Sequence, residues 1–438
     1  MDTIPHRRNF LKASGAASLA VTIGGAAACQ TSESGANPVR VGLIGTGNRG
    51  RSLLKGMLAL PELTCPAVCD MNPENAALAR DIVSKEGQPA PEMYTRDEED
   101  YLRLLEREDL DAVIIATPWH WHTPMAVAGM RAGKYVGVEV PAALSLEECW
   151  ELVNTHEETG VPCMMMENWS FRRDNLAVLK MIRKGLLGEP VHCHCAHSHD
   201  CIDHWFFDRE EGMDRWPAEY LVQFNRDQYP THSLGPVLSW MDIGCGDYFD
   251  YVTATATRSM GINSYFTRKF GSDHPNAQRK FNQADIVTTV VKTIKGNTIV
   301  INYDMQLPRP YDNRWMIQGT EGIYNEQRDA VYLTGESPKY HEWEPFPPYQ
   351  DRYDHKWWKA MHADAPGHGG TDYLELQEFF RAVRNKTQTP IDVYDSAMFS
   401  VITPLSGMSI AQGSAPVECP DFTRGKWRTR KPSFAMDA

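Results

Sequence analysis

The chain has 438 residues, 42% of them hydrophobic, and a formal net charge of −13. That length accommodates two domains with sizeable cores, and the composition is that of an ordinary globular protein. The acidic balance argues against a nucleic-acid partner, which rewards a basic surface, and no run of 18 apolar residues after residue 30 predicts a membrane span.

The chain opens on RRNFLKASGAASLAVTIGGAAAC, with Arg7 and Arg8 ahead of Phe10, Leu11 and Lys12. This resembles a twin-arginine export signal, which carries folded, cofactor-loaded proteins to the periplasm. Residues 1–28 are predicted to be that signal and residues 29–38 a linker. Cys29 is a candidate lipid-anchor site; cleavage after Ala28 by an ordinary peptidase is the alternative. The remaining nine of the 10 cysteines have no paired spacing and are predicted to be small core residues.

The organising stretch is VRVGLIGTGNRG, residues 39–50. An apolar strand meets a glycine turn and then a helix over 50–60. Gly45 permits the turn, Gly47 a close approach of backbone to a pyrophosphate, and Gly50 close packing of helix on strand. The free N–H groups of the helix start then face an anion. A second strand, 67–69, ends at Asp70, where an acidic side chain takes ribose hydroxyls and repels a 2′-phosphate, so the spacing predicts NAD rather than NADP.

Helices follow at 73–85 and 97–106, then the buried strand DAVIIATP, 111–118. Its carboxyl end carries Trp119, His120, Trp121 and His122, placed to touch the cofactor in an open α/β sheet. A helix over 125–132 leads to KYVGVEVP, which ends in Glu139, Val140 and Pro141. Helix 146–159 stops at Gly160, and VPCMMMENWS is the last strand of this half, ending at Asn168. The predicted boundary separates a nucleotide-binding Rossmann domain, 39–170, from an α/β domain, 171–438, with a large, mostly antiparallel open sheet.

In the second half, strands are predicted over 191–199, 286–294, 298–306 and 314–319, with IKGN (294–297) as a hairpin turn. Helices are predicted over 374–385 and 394–411. The run HCHCAHSHDC, 192–201, alternates His192 and His194 on one strand face with Cys193 and Cys195 on the other, so it predicts no metal centre of its own. HKWWK, 355–359, is predicted to be a core helix face rather than a sugar platform.

The order GTGNRG, Asp70, WHWH, EVP and MMMEN resembles the Gfo/Idh/MocA oxidoreductases. Most members carry E-K-P at the third element, with the lysine between nicotinamide and substrate. Val140 stands in its place here, a departure from simple alcohol dehydrogenation. YPTHSLGPV (229–237), PRPY (308–311), HGGTDY (368–373) and DVYDSAMFSVITPLS (392–406) resemble glycoside hydrolase family 109, over residues 39–428. That resemblance implies an NAD-dependent α-N-acetylgalactosaminidase. It implies Asn48, Arg49, Asp70, Trp119, His120, Trp121, His122, Glu139, Val140 and Asn168 at the cofactor, beside Gly45 and Gly47. It implies Tyr229, Pro230, Thr231, His232 and Tyr311 at the sugar. Trp169 and His197 stand where the family has tyrosines, His197 facing the sugar; Arg215 is the candidate for an arginine the family carries upstream of Y-P-T-H.

No carboxylate pair suited to direct displacement stands out. The alternative is transient oxidation of the sugar at C3, elimination of the C1 substituent after loss of the C2 proton, water addition and return of the hydride. His232 is the candidate base, Tyr311 and Tyr229 the candidate donors, and Glu139 the group that orients the sugar or relays a proton. The competing readings are a sugar oxidoreductase releasing a keto sugar and a carbohydrate-binding protein with structural NAD. The partners expected are a glycan or glycoside and, as an open option, a second copy of the chain.

Overall fold

In the computed structural model, residues 38–362 and 365–436 are described. The export signal, Cys29 and nearly all of the linker lie outside them. The apolar runs of the first half become six parallel strands: β1 (Val39–Ile44), β2 (Leu63–Cys69), β3 (Glu92–Tyr94), β4 (Ala112–Ile115), β5 (Tyr135–Val138) and β6 (Cys163–Met165). Their order is β3-β2-β1-β4-β5-β6. Chain order therefore reverses between β1 and β4, and the crevice beyond their carboxyl ends is where such sheets take ligands. All four residues of β4 are fully buried, as helices on both faces require.

The second half forms a nine-stranded sheet of β7 (Pro190–Ser198), β8 (Phe249–Ala256), β9 (Ile286–Thr293), β10 (Thr298–Asp304), β11 (Met316–Gly319), β12 (Gly322–Asn325), β13 (Ala330–Leu333), β14 (Glu344–Pro345) and β15 (Val417–Glu418). The order is β14-β13-β12-β11-β7-β10-β9-β8-β15. β7 and β10 pair in parallel; every other neighbouring pair is antiparallel. Strict alternation sends Val287, Val291, Ile299 and Ile301 into the core, each worth about 1.5–3 kcal/mol when fully buried. The same register sets His197 opposite Tyr303. Trp315, completely buried just before β11, donates its indole N–H to the Ser233 carbonyl at 2.7 Å. That bond ties the Pro230–Leu234 helix, which carries His232, to the sheet.

Three predicted elements change, each for a local reason. Helix 97–106 shrinks to Tyr101–Leu105, because the Asp97 and Asp100 side chains accept from the Glu99 and Arg96 N–H groups and hold turns instead. The helix over 394–411 is two, Val393–Ser400 and Ile402–Ala411. Pro404 has no N–H for the Ser400 carbonyl, and its ring crowds that carbonyl. Strand 111–118 ends at Ile115, and a single helical turn, Trp119–Trp121, precedes helix His122–Arg131. The HKWWK reading holds for Trp357, which is buried and stacked on Phe171 at 5.9 Å; Trp358 is half-buried and donates to the Phe171 carbonyl at 2.8 Å. The described cysteines are free thiols, and seven of them are buried.

Candidate active site

The glycine loop joins β1 to helix Asn48–Leu58. Gly45 has φ of +86°, and a Cβ there would stand 2.6 Å from the Ala116 carbonyl; a Cβ on Gly50 would overlap the Gly45 carbonyl. Nothing lies within 4 Å of a Cβ built on Gly47, and no side chain caps this helix. The loop thus leaves open space in front of unsatisfied N–H groups, which fits a pyrophosphate. Asp70, at the end of β2, accepts from the Thr46 N–H at 2.8 Å and from the Asn72 N–H at 2.9 Å while staying half-exposed. Asn48 is exposed and accepts from Arg51 at 2.8 Å. These residues suit an adenine dinucleotide with free ribose hydroxyls.

Arg49 turns inward. Its guanidinium meets Glu139 at 2.5 Å and Asp372 at 2.6 Å. Asp372 also accepts from Asn168 Nδ2 at 2.7 Å and lies 2.9 Å from His368 Nδ1. Burial works against charge on Asp372, but the His368 hydrogen bond and the Arg49 charge outweigh it and hold the carboxyl well below its usual range. Glu375, one turn further along the Thr371–Asn385 helix, is completely buried with neither oxygen hydrogen-bonded. Burial first, and then the negative Asp372 and Glu139, push its pKa well above the usual carboxylate range. Glu139 and Asn168 therefore sit in one ion network with Arg49, and buried Val140 lies beside it.

The W-H-W-H run divides. Trp119 is buried in an aromatic cluster, 5.3 Å from Trp205, 5.0 Å from Tyr220 and 5.7 Å from Tyr229 between ring centres, all residues of the second half. His122 does not offer a ring nitrogen to a cofactor: Nδ1 lies 2.7 Å from the Pro141 carbonyl and Nε2 2.8 Å from the Thr117 carbonyl. It braces two turns instead. Trp121 packs edge-on against Tyr101, and His120 is exposed.

On the sugar side, the structure brings His232, His197, Tyr229, Tyr311 and Trp169 together. Ring centres of His197 lie 5.1 Å from Tyr229, 5.2 Å from His232 and 5.5 Å from Tyr311. Trp169 stands 5.9 Å from His232, 6.0 Å from Tyr311 and 5.7 Å from His368, bridging this group to the Arg49 network. His232 Nδ1 lies 2.9 and 2.8 Å from the two oxygens of Glu167, a completely buried carboxylate. Glu167 thus holds the proton on Nδ1 and leaves Nε2 as the basic atom, 3.4 Å from the Tyr229 hydroxyl. His197 is buried with Nδ1 unpartnered, and burial, then His232 and His199, depress its pKa, so it is neutral. Tyr311 is 40% exposed. Beside Trp169, a groove of about 510 Å³ opens between Arg172, Tyr324, Glu326, Trp358 and His368.

Pro230 and Thr231 are buried on the helical turn that carries His232, Thr231 completely and with its Oγ1 unpartnered. Arg215 is exposed and donates to the His204 carbonyl at 2.5 Å. Sequence reasoning missed Glu167, although it stands between an apolar strand and Asn168 in MMMEN. It also missed Asp372 and His368, although HGGTDY sets them four residues apart, across the glycine turn that leads into the Thr371–Asn385 helix. The run at 192–201 behaves as predicted at its start: His192 bonds Thr298 at 2.8 Å, His194 bonds Asn302 at 2.9 Å, and Cys193 and Cys195 are buried.

Two family models match the chain. Residues 39–167 match the oxidoreductase family with an NAD-binding Rossmann fold, and residues 171–429 match the C-terminal domain of glycosyl hydrolase 109. The chain is 40% identical to an alpha-N-acetylgalactosaminidase of Tannerella forsythia, over 98% of this chain and 99% of that one. It is 40% identical to a glycosyl hydrolase family 109 protein of Stenotrophomonas maltophilia, over 91% and 92%. Among solved structures, levoglucosan dehydrogenase with NADH and L-sorbose superposes with a TM-score of 0.67 at 21% identity, covering 88% of this chain and 100% of that one. A myo-inositol dehydrogenase from Lactobacillus casei gives 0.61 at 16% identity, over 88% and 97%. These two likenesses concern the fold. Matched along its length by both models and by its curated relatives, the chain belongs to glycosyl hydrolase family 109, as an enzyme with an NAD-binding Rossmann half.

Proposed function

We propose that the enzyme hydrolyses α-N-acetylgalactosaminides, or closely related α-linked amino sugars, by transient oxidation at C3. The observation that carries the reading is the Glu167–His232 pair, with Nε2 of His232 turned to the same space as Tyr229, Tyr311 and the unpartnered Nδ1 of His197. The full-length relative from Tannerella forsythia supports the substrate class.

The glycine loop and Asp70 would hold NAD, which supplies a hydride acceptor for C3 and later returns the hydride. His232 Nε2 takes the C3 hydroxyl proton, and the resulting imidazolium is stabilised through Nδ1 by Glu167. Tyr229 donates to the developing oxyanion. With C3 a ketone, the C2 proton is acidic and leaves to a base, the bond from C1 to its oxygen breaks to leave a C1–C2 double bond, and water then adds at C1 while C2 regains a proton. Tyr311, at the exposed end of the group, protonates or positions the leaving oxygen. Glu139, ion-paired with Arg49 at 2.5 Å, would orient the sugar or relay a proton. Trp169 closes the wall where the family carries a tyrosine.

The test is purification without added NAD, followed by assay on aryl α- and β-glycosides. The expected result is near-stoichiometric NAD, turnover of the α-N-acetylgalactosaminide and no accumulation of NADH. A C2-deuterated substrate should lose label to solvent; retained label, with no isotope effect from deuterium at C2 or C3, would overturn the redox route. NADH accumulating in step with product would instead make the enzyme an oxidoreductase. We also propose twin-arginine export to the periplasm, with Cys29 as a lipid anchor, on the residues around Arg7 and Arg8. Replacing both arginines by lysine should trap the protein in the cytoplasm.

A further inference from the structure

Where β7 leaves the sheet, the chain turns through H-D-C-I-D-H, residues 199–204. This turn brings one donor atom each of His199, Cys201 and His204 within 4.8 Å of one another. None of the three side chains makes a hydrogen bond within the described residues, although Cys201 is 3% exposed and His199 half-buried. The main chain is fixed on both sides of the cluster. His199 N–H donates to the Asp304 carbonyl at 2.9 Å, Cys201 N–H to Met305 at 3.1 Å, and Phe206 N–H to Cys201 at 3.1 Å.

We propose that His199, Cys201 and His204 form a binding site for a thiophilic divalent cation of the zinc class. Two imidazoles and a thiolate are the donor set such an ion selects over oxygen-preferring magnesium or calcium. Tetrahedral bonds of about 2.0–2.1 Å to nitrogen and about 2.3 Å to sulfur set donor atoms roughly 3.3–3.6 Å apart, so the cluster needs only small side-chain rotations to close. Binding displaces the Cys201 thiol proton to solvent and forms the metal–sulfur bond; no electron is transferred. Three protein ligands leave a tetrahedral ion one open position.

The site borders the cleft: the His199 ring lies 5.1 Å from Tyr311, and Trp205, between Cys201 and the aromatic cluster in sequence, packs 5.4 Å from Tyr229. The ion would therefore stiffen one wall of the sugar-side group. The inference stands apart from the hydrolytic reading, since it needs only the three donors.

The test uses the full NAD-loaded chain, stripped with a chelator and titrated with cobalt(II) alone and then zinc(II). The expected result is a thiolate-to-cobalt charge-transfer band, removed by zinc and absent in Cys201→Ser at unchanged NAD content. His204→Ala, at an exposed position that carries no core packing, should weaken zinc binding by roughly 100-fold or more, since loss of a ligand exceeds the 10–100-fold cost of losing its outer partner. Cobalt binding without the thiolate band, a band that survives in Cys201→Ser, or equal zinc affinity in His204→Ala and the parent chain would each overturn the site. If Cys201→Ser does not fold, His204→Ala decides.

Discussion

The two rims of the crevice are built on opposite rules. On the cofactor side, Arg49, Glu139, Asp372, Asn168 and His368 are joined by hydrogen bonds of 2.5–2.9 Å. On the sugar side, the Trp169 Nε1 and His197 Nδ1 are buried with no partner, and the Tyr311 ring is exposed. The charges of that network are mutually paired, which makes it a frame that holds position, although Asn168 Oδ1 and both oxygens of Glu375 beside it are buried without a partner. Buried donors and acceptors left unpaired cost free energy until something pairs them, and a polyhydroxylated sugar is suited to that. Glu167 and His232 sit at the join, with one satisfied nitrogen on the frame side and one free on the other.

The largest expected effect tests the free side. His232→Ala should lower turnover by ~10²–10⁴-fold, the usual worth of a general acid–base group, with NAD content and thermal midpoint near the parent values. Activity within a few-fold of the parent would remove His232 from the chemistry. On the framed side, Asp70→Ala should weaken NAD retention by about 1.5–3 kcal/mol, the worth of charge-assisted hydrogen bonds. Equilibrium dialysis against labelled NAD measures it. Part of the loss arises because the Thr46 and Asn72 N–H groups lose their acceptor. Unchanged affinity would deny Asp70 the ribose role.

A smaller effect is expected at the join. Glu167→Gln keeps shape but removes the charge beneath His232. It should lower kcat by roughly 10–100-fold, the usual cost of losing an outer partner, while KM changes little. Equal loss of rate in Glu167→Gln and Glu167→Asp would mean that Glu167 only packs. Glu167→Asp should recover part of the rate.

How much of this was legible follows the same division. The glycine turn and the carboxyl-end placement of Asp70 follow from local patterns of apolar residues and glycine, so the sequence carried them. His232 and Tyr311 were carried by the family motifs. Glu167, Asp372 and Glu375 were not visible as a group, because the contacts that define them join residues from 65 to 323 positions apart, and no local periodicity encodes such a pairing. His122 differs for a converse reason: a strand end fixes which residue stands there, but one helical turn fixes whether its ring faces the crevice or the neighbouring carbonyls. The break at Val401 was legible in Pro404 and was passed over in favour of a continuous apolar run.

The effect confined to stability concerns two carboxyls one turn apart on the Thr371–Asn385 helix, Asp372 and Glu375, and it sharpens the contrast because both lie on the framed side. Asp372 is held charged, and its pKa is depressed mainly by His368 and Arg49 against the cost of burial. It stabilises the fold above the unfolded value of about 3.9 and loses that contribution as pH falls toward its folded value. Glu375 is opposite: burial and two negative neighbours raise its pKa. Above the unfolded value of about 4.3, the unfolded chain has released this proton while the folded chain retains it, so stability falls as pH rises until the folded value is reached. Glu375→Gln removes that linkage. The difference in unfolding free energy between variant and parent should therefore shift in favour of the variant as pH rises from about 5 toward 8, with a slope of at most about 1.4 kcal/mol per pH unit for one proton. Urea titrations at several pH values measure it. At the acid end the two proteins should differ little, since both then bury a neutral group. A difference independent of pH would show that Glu375 is ionised in the fold, and that the network around Arg49 extends one carboxylate further than its hydrogen bonds do.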